Sequence, residues 1–211
     1  MAVARAVLLL ALLGLTAAKP LGLLGDLFSA VTDIRTAPGI HTVPELDVEQ
    51  YLGRWYQMFT DFVVTSTFER NAVCVTADYG LNGPGNISVY NANREKTPDG
   101  DLNDIRGYAT VPDPSQPGKL EVKFDSVPGV LGQYWVIRLG PVVQGKYDYS
   151  VVTDSFKMTL FVLARDPDKF RTDYQDDVLA FLADQGFTRF YNRPIETLQS
   201  EDCQYAPKPP N

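Results

Sequence analysis

From Tyr51 onward, apolar and polar positions alternate in short runs rich in Val, Ile, Tyr and Phe: "RWYQMF", "AVCVTADYGL", "ISVYNAN", "DIRGYATV", "KLEVKF", "YWVIRL", "YDYSVVTD" and "MTLFVLA". A period of two marks a strand with one face buried. The runs are separated by "NGPGN", "TPDGD", "PDPSQPG", "SVPGVLG" and "GPVVQGK". In these, Gly, Pro, Asn and Asp supply turn geometry. Eight runs with hairpin-length connections and no crossover helix predict an antiparallel meander. Such a sheet has two unpaired edges unless it closes, and closure makes a small barrel. The expected fold is therefore all-β, an eight-stranded antiparallel up-and-down β-barrel. SH3-like and OB barrels have fewer strands, and a jelly roll needs longer returns.

After the eighth run the period changes to that of a helix. In "RDPDKFRTDYQDDVLAFLADQGF", Tyr174, Val178, Phe181 and Leu182 share one face and Gly186 stands as a stop. This predicts one C-terminal α-helix packed outside the barrel. A second helical spacing joins Leu21, Leu24, Leu27, Phe28, Val31 and Ile34 within a Pro- and Gly-containing extension, residues 19–43. It reads as a short amphipathic helix over the domain or as a mobile extension. Its polar face lacks the Lys/Arg cluster of a membrane-surface helix, although its apolar face offers a contact for a lipoprotein or membrane surface. The barrel domain is expected over residues 44–205, with a Pro-rich tail at 206–211.

The first 18 residues read as a secretory signal: Arg5 precedes the apolar stretch Val7 to Leu15, and Thr16-Ala17-Ala18 is small enough for cleavage. A secreted, extracellular chain is expected. The net charge of −7 disfavours nucleic acid and anionic membranes as partners. Two cysteines, Cys74 and Cys203, favour a disulfide in an oxidising compartment. A catalytic cysteine is the rival reading. It needs a base, and the single histidine, His41, lies in the extension. Asn86 in "GNIS" is an N-x-S sequon at a turn, a site for a glycan.

"YLGRWYQM" at residues 51–58 sets a glycine two residues before a tryptophan. The pair suggests backbone passing close to something while a large ring fills a hole beside it. With "NAVCVTADYGL", "GKLEVKFDS", "YWVIRL" and "FVLARDP", this stretch is similar to the lipocalin family, and within it to the branch of apolipoprotein D and bacterial-type lipocalins. The resemblance runs from about Pro44 to Tyr205. It implies that Trp55 plugs the closed end of the barrel, that Arg165 stacks over it, and that Gly53 allows the close entry. It also implies pairing of Cys74 with Cys203. One departure is the family's Thr-Asp-Tyr motif between the sixth and seventh strands. Here that place reads "LGPVVQGKYDY", with Asp148 as the candidate replacement carboxylate.

Strand alternation then proposes the inward face. Gln57 and Phe59 follow Trp55. Val75, Ala77 and Tyr79 follow in the second strand, and Ile87, Val89 and Asn91 in the third. Ile105, Gly107, Ala109, Leu120, Val122 and Phe124 line the middle. Tyr134, Val136, Tyr149, Val151, Thr153, Thr159, Phe161 and Leu163 complete the wall. Of these, Gln57, Phe59, Tyr79, Val89, Asn91, Tyr134, Tyr149 and Phe161 are the candidate ligand contacts, with Tyr79, Asn91, Tyr134 and Tyr149 for a polar head group. An apolar interior with a few hydroxyls suits a fatty acid, sterol, retinoid or carotenoid. Burying about 300 Å² of hydrocarbon contributes roughly 7 kcal/mol before entropy costs. The expected function is a secreted carrier of a small hydrophobic ligand, with no catalytic residue, cofactor or metal. Two rivals are an isomerase-type enzyme on the same barrel and an interaction protein whose barrel is filled. The oxygen-rich "TPDGDLND" lacks the spacing of a calcium loop and reads as a solvated turn. Oligomeric state is left open.

Overall fold

The computed structural model describes residues 39–209 except Pro84 and Pro128. The signal at 1–18 and the apolar stretch at 21–34 lie outside the described residues.

Strands β1 (Gly53–Thr60), β2 (Ala72–Leu81), β3 (Asn86–Glu95), β4 (Leu102–Thr110), β5 (Lys119–Phe124) and β6 (Gly132–Leu139) follow one another as hairpins. A small separate hairpin, β7 (Val142–Val143) and β8 (Lys146–Tyr147), precedes β9 (Tyr149–Thr153) and β10 (Leu160–Ala164). β9 pairs with β6, β10 pairs with β9, and β10 returns to pair with β1. Every pairing is antiparallel. The eight long strands therefore close into a barrel with no free edge.

Two apolar clusters lie on opposite sides of this wall. The interior cluster includes Trp55, Ala77, Tyr79, Val89, Val136 and Val152. The exterior one joins Met58, Tyr149, Val151, Leu160 and Val162 to Phe170, Val178 and Leu182. Those last three belong to helices α3 (Pro167–Asp173) and α4 (Gln175–Asp184); α1 (Val48–Tyr51) and α2 (Phe62–Thr67) come earlier in the chain. The expected single C-terminal helix is thus two segments. Tyr174, at φ −128°, bends the path while keeping its hydrogen bonds to Phe170 and from Val178. Its hydroxyl donates to Asp148 at 2.7 Å and its ring packs on Tyr149, so the kink follows a tertiary contact. Gly186, at φ +85°, ends α4 in the left-handed conformation that glycine tolerates.

The double-sided burial corrects two expected site residues. All five residues of β9 are buried. Alternation of polarity therefore does not reveal which face is inside. Tyr149, Val151 and Thr153 face outward, towards the helices, while Ser150 and Val152 face the interior. In β1 the register slips between Gln57 and Phe59, and this bulge turns Phe59 out against Phe170. Tyr149 and Phe59 are helix-packing residues.

The tail completes the sheet. β2 pairs with β1 only as far as Tyr56, leaving the backbone of Gln57 to Thr60 without that neighbour. β11 (Ile195–Glu196) pairs with Phe59 and Thr60, and the Thr197 amide donates to the Met58 carbonyl. The buried Gln199 side chain donates to the carbonyls of Gln57 and Val75 at 3.0 and 2.8 Å. A disulfide between Cys74 and Cys203, 129 residues apart, fixes this tail to β2. The loop-closure model assigns such a bridge roughly 4–5 kcal/mol.

Candidate functional site

The closed end of the barrel is built around one arginine. Asp47 caps α1 by accepting from the amides of Glu49 and Gln50. One turn later the chain leaves the helix at Leu52 and swings through Gly53 at φ +101°, a conformation strained for any side chain. A Cβ here would lie 3.4 Å from Nη1 of Arg165. This exit aims the last carbonyls of α1, which have no helical partner, at a single point. Arg165 occupies it. Its Nη2 donates to the carbonyls of Gln50, Tyr51 and Leu52 at 2.9–3.1 Å, Nη1 donates to that of Arg54, and Nε to that of Tyr147. The guanidinium carbon lies 3.5 Å from the centroid of the Trp55 ring, a cation–π contact. Trp55 is fully buried and donates its indole N–H to the Tyr51 carbonyl. Burial pulls the Arg165 pKa down to about 10, which leaves it charged at neutral pH.

The loop that departs from the family motif contributes here by its backbone. The β7–β8 hairpin lies against α1, where the Tyr147 hydroxyl accepts from the Asp47 amide and Lys146 donates to the Glu49 carbonyl. The Tyr147 carbonyl serves Arg165. The Asp148 carboxylate takes a different part: it holds Lys169 and the Tyr174 hydroxyl, locking the helices to the barrel.

Above this floor four hydroxyls form a chain. Tyr79 meets Tyr134 at 3.1 Å, Tyr134 meets Tyr51 at 2.8 Å, and Tyr51 meets Ser150 at 2.8 Å. Burial raises all three tyrosine pKa values, that of Tyr51 to about 12, so the groups stay neutral hydroxyls. Higher up, Val89 and Phe161 face the interior apolar cluster. Asn91 shares the face of Val89, and its side-chain Oδ1 is buried without a partner. Gln57 donates to Glu69 at 2.7 Å and to the Thr197 hydroxyl at 3.1 Å. Burial pushes Glu69 up to about 7 against the opposing effect of that hydrogen bond. Asp61, fully buried, caps α2 through Oδ1 and leaves Oδ2 unpartnered. Burial, with Asp154 nearby, raises it to about 7.

Six expected contacts, Gln57, Tyr79, Val89, Asn91, Tyr134 and Phe161, therefore share the interior, and Phe59 and Tyr149 do not. The residues that sequence reasoning missed are Tyr51, Ser150 and Glu69. Tyr51 ends α1, before the strand whose alternation guided the reading, so strand phase did not reach it. Ser150 is a small polar residue between two large apolar ones. Glu69 carries no local signal. Asn86 opens β3, half-exposed.

Both cysteine sulfurs are in the disulfide. Among the described residues no three His, Cys, Asp or Glu side chains gather as metal ligands, and no helix is long and apolar enough to cross a membrane. Outside the barrel a groove of about 440 Å³ lies between α3 and the tail, lined by Tyr56, Arg171, Gln199 and Tyr205 among others. Its polar groups bond one another: Arg171 to Asp168 and the Gln199 carbonyl, and Tyr205 to the Gln199 side chain.

A family model described as a lipocalin-like domain matches residues 46–193. Apolipoprotein D of Rattus norvegicus is 41% identical over 91 residues, which is 43% of this chain and 44% of that relative. The match thus spans less than half of the relative's length. The outer membrane lipoprotein Blc of Vibrio cholerae is 29% identical over 128 residues, 61% of this chain and 70% of that protein. Among solved structures, the amine-binding protein of Rhodnius prolixus in its tryptamine complex superposes with a TM-score of 0.55 at 18% identity, covering 81% of this chain and 90% of that one. At that identity the likeness is one of fold.

Proposed function

The chain belongs to the lipocalin family, and from that premise we propose that it is a secreted carrier that takes one small hydrophobic molecule into its barrel. The apolar chains and rings of the fatty acid, sterol, retinoid and carotenoid classes fit the lining. The observation that carries this reading is the state of the inward side chains. Asn91, Ile105, Phe124, Tyr134, Leu139 and Phe161 all belong to the interior face, yet each keeps partial exposure. A barrel packed with its own side chains would bury them to the density of a protein core. Partial exposure on the inside supports unfilled space, and apolar walls with a few placed polar groups are what a small-molecule site needs.

Binding without chemistry is the simpler use of this lining. The thiols are committed to a disulfide, and His41 precedes the first strand. Export through the N-terminal leader fits the disulfide, which persists in an oxidising compartment. A glycan on Asn86 would project from the closed end, away from the ligand entrance.

Native mass spectrometry of the protein secreted from a eukaryotic host, before and after organic extraction, tests the proposal. A stoichiometric apolar compound lost on extraction is the expected result. A protein that is empty and leaves fatty acids, retinoids and sterols unbound in titrations would contradict it.

A further inference from the structure

We infer that the interior takes its ligand with a neutral hydroxyl or carbonyl end towards the floor and discriminates against the carboxylate of the same chain. This rests on the reading of the barrel as an open ligand site. The hydroxyl chain supplies the chemistry. Tyr79, Tyr134, Tyr51 and Ser150 are joined in a line by three contacts, and in each contact either oxygen is able to donate. Four hydroxyls bring four protons, and three hydrogen bonds use three. One proton is left over, and the directions of the three bonds decide which hydroxyl holds it. If every bond points from Ser150 towards Tyr79, the Tyr79 hydroxyl has a proton to donate. If every bond reverses, Tyr79 donates within the line and its oxygen is free to accept from outside. A carbonyl suits the first arrangement and an alcohol suits both. Tyr134 is the inward member of the line that keeps partial exposure. The Asn91 side chain, with its unpartnered buried oxygen, adds a second neutral polar group on the wall.

An ionised carboxylate finds no such match. Among the described inward residues of the strands there is no Lys, Arg or His. The nearest cation is Arg165, whose three nitrogens all donate to backbone carbonyls while its face lies on Trp55. The one acidic group bonded to an inward side chain, Glu69 through Gln57, repels an anion when it is ionised. A carboxylate taken to the floor would be a buried charge without a counter-charge, a large penalty.

The test is displacement of Nile red, a neutral apolar dye, by matched pairs at pH 8: hexadecanol against hexadecanoate, and retinol against retinoate. The expected result is displacement at least about tenfold tighter by each alcohol than by its acid. Tyr79→Phe and Tyr134→Phe keep the rings. Each is expected to weaken the alcohols by about fivefold, one hydrogen bond's worth, and to leave retinyl methyl ether closer to unchanged. Acids that displace as well as alcohols from a protein that binds the dye would overturn the head-group inference alone. Failure of the dye itself to bind would overturn the open-barrel reading and the inference with it. The wild-type ratio decides even if a tyrosine variant does not fold.

Discussion

The two ends of the barrel solve opposite problems with the same kinds of residue. At the closed end most strong polar groups have a partner, the buried Oε1 of Gln50 being an exception. The α1 carbonyls meet Arg165, the Trp55 indole meets a carbonyl, and the tyrosine hydroxyls meet one another. Towards the mouth, satisfaction is incomplete. The Asn91 and Asp61 side chains each leave a buried oxygen unpartnered, and two carboxyl groups sit where burial holds their protons near neutral pH. The mouth loops also carry exposed apolar side chains, among them Phe68 and Phe156. A densely bonded floor specifies the fold and keeps only the one spare proton of its hydroxyl chain, while an under-bonded wall has further polar valence left for a ligand.

If that contrast is right, the largest loss of stability comes from the floor. Trp55→Ala removes the ring under Arg165 and should cost about 3–5 kcal/mol, read as a lower midpoint in urea denaturation. An effect below about 1 kcal/mol would mean that the floor does not hold the barrel. The next effect is at the mouth and depends on pH. Asp61 and Glu69 bind protons more tightly folded than unfolded, from the ordinary carboxyl range of about 4 up to about 7. Their contribution to stability is therefore greatest below about pH 4, declines as pH rises towards 7, and is level above that. Asp61→Asn keeps a capping oxygen and removes the charge. It should raise the melting temperature by a few degrees at pH 8, and the gain should vanish near pH 4. A pH-independent difference would contradict this. Smaller still, Asn91→Leu should leave the denaturation midpoint almost unchanged while altering ligand preference towards molecules with fewer polar groups. Smallest is Tyr149→Phe. Tyr149 packs on the helix side, so dye affinity should match wild type, whereas Tyr134→Phe should shift it for alcohols.

Much of this architecture is legible in the sequence. The bounds of β2 and β5 coincide with the alternating runs "AVCVTADYGL" and "KLEVKF", because each has one face that meets the interior and turn residues on both sides. Where alternation failed, a second buried face was the cause. β9 is covered on both sides, so Tyr149 and Ser150 carried no outward or inward signature. The slip at Gln57 and Phe59 is a backbone event set by the neighbouring strands and tail. The bend at Tyr174 comes from a bond to Asp148, 26 residues away, and local helix patterning does not contain it. Of the site, the Tyr79 and Tyr134 positions followed from strand phase. The chain that joins them to Tyr51 and Ser150 depends on closure of the barrel, which brings residues 99 apart in sequence within hydrogen-bond distance.

The central claim is that the interior above Trp55 is an open, ligand-accepting space. Trp135 lies on the outer face with Lys119 over its ring, so Trp135→Phe leaves Trp55 as the sole tryptophan without touching the interior. Titration of that variant with retinol, whose absorption overlaps indole emission, reads the distance to the floor directly. Saturable quenching of Trp55 at one equivalent is the predicted result. Unchanged Trp55 emission, at concentrations where retinol's own fluorescence reports binding or where no binding occurs at all, would contradict it.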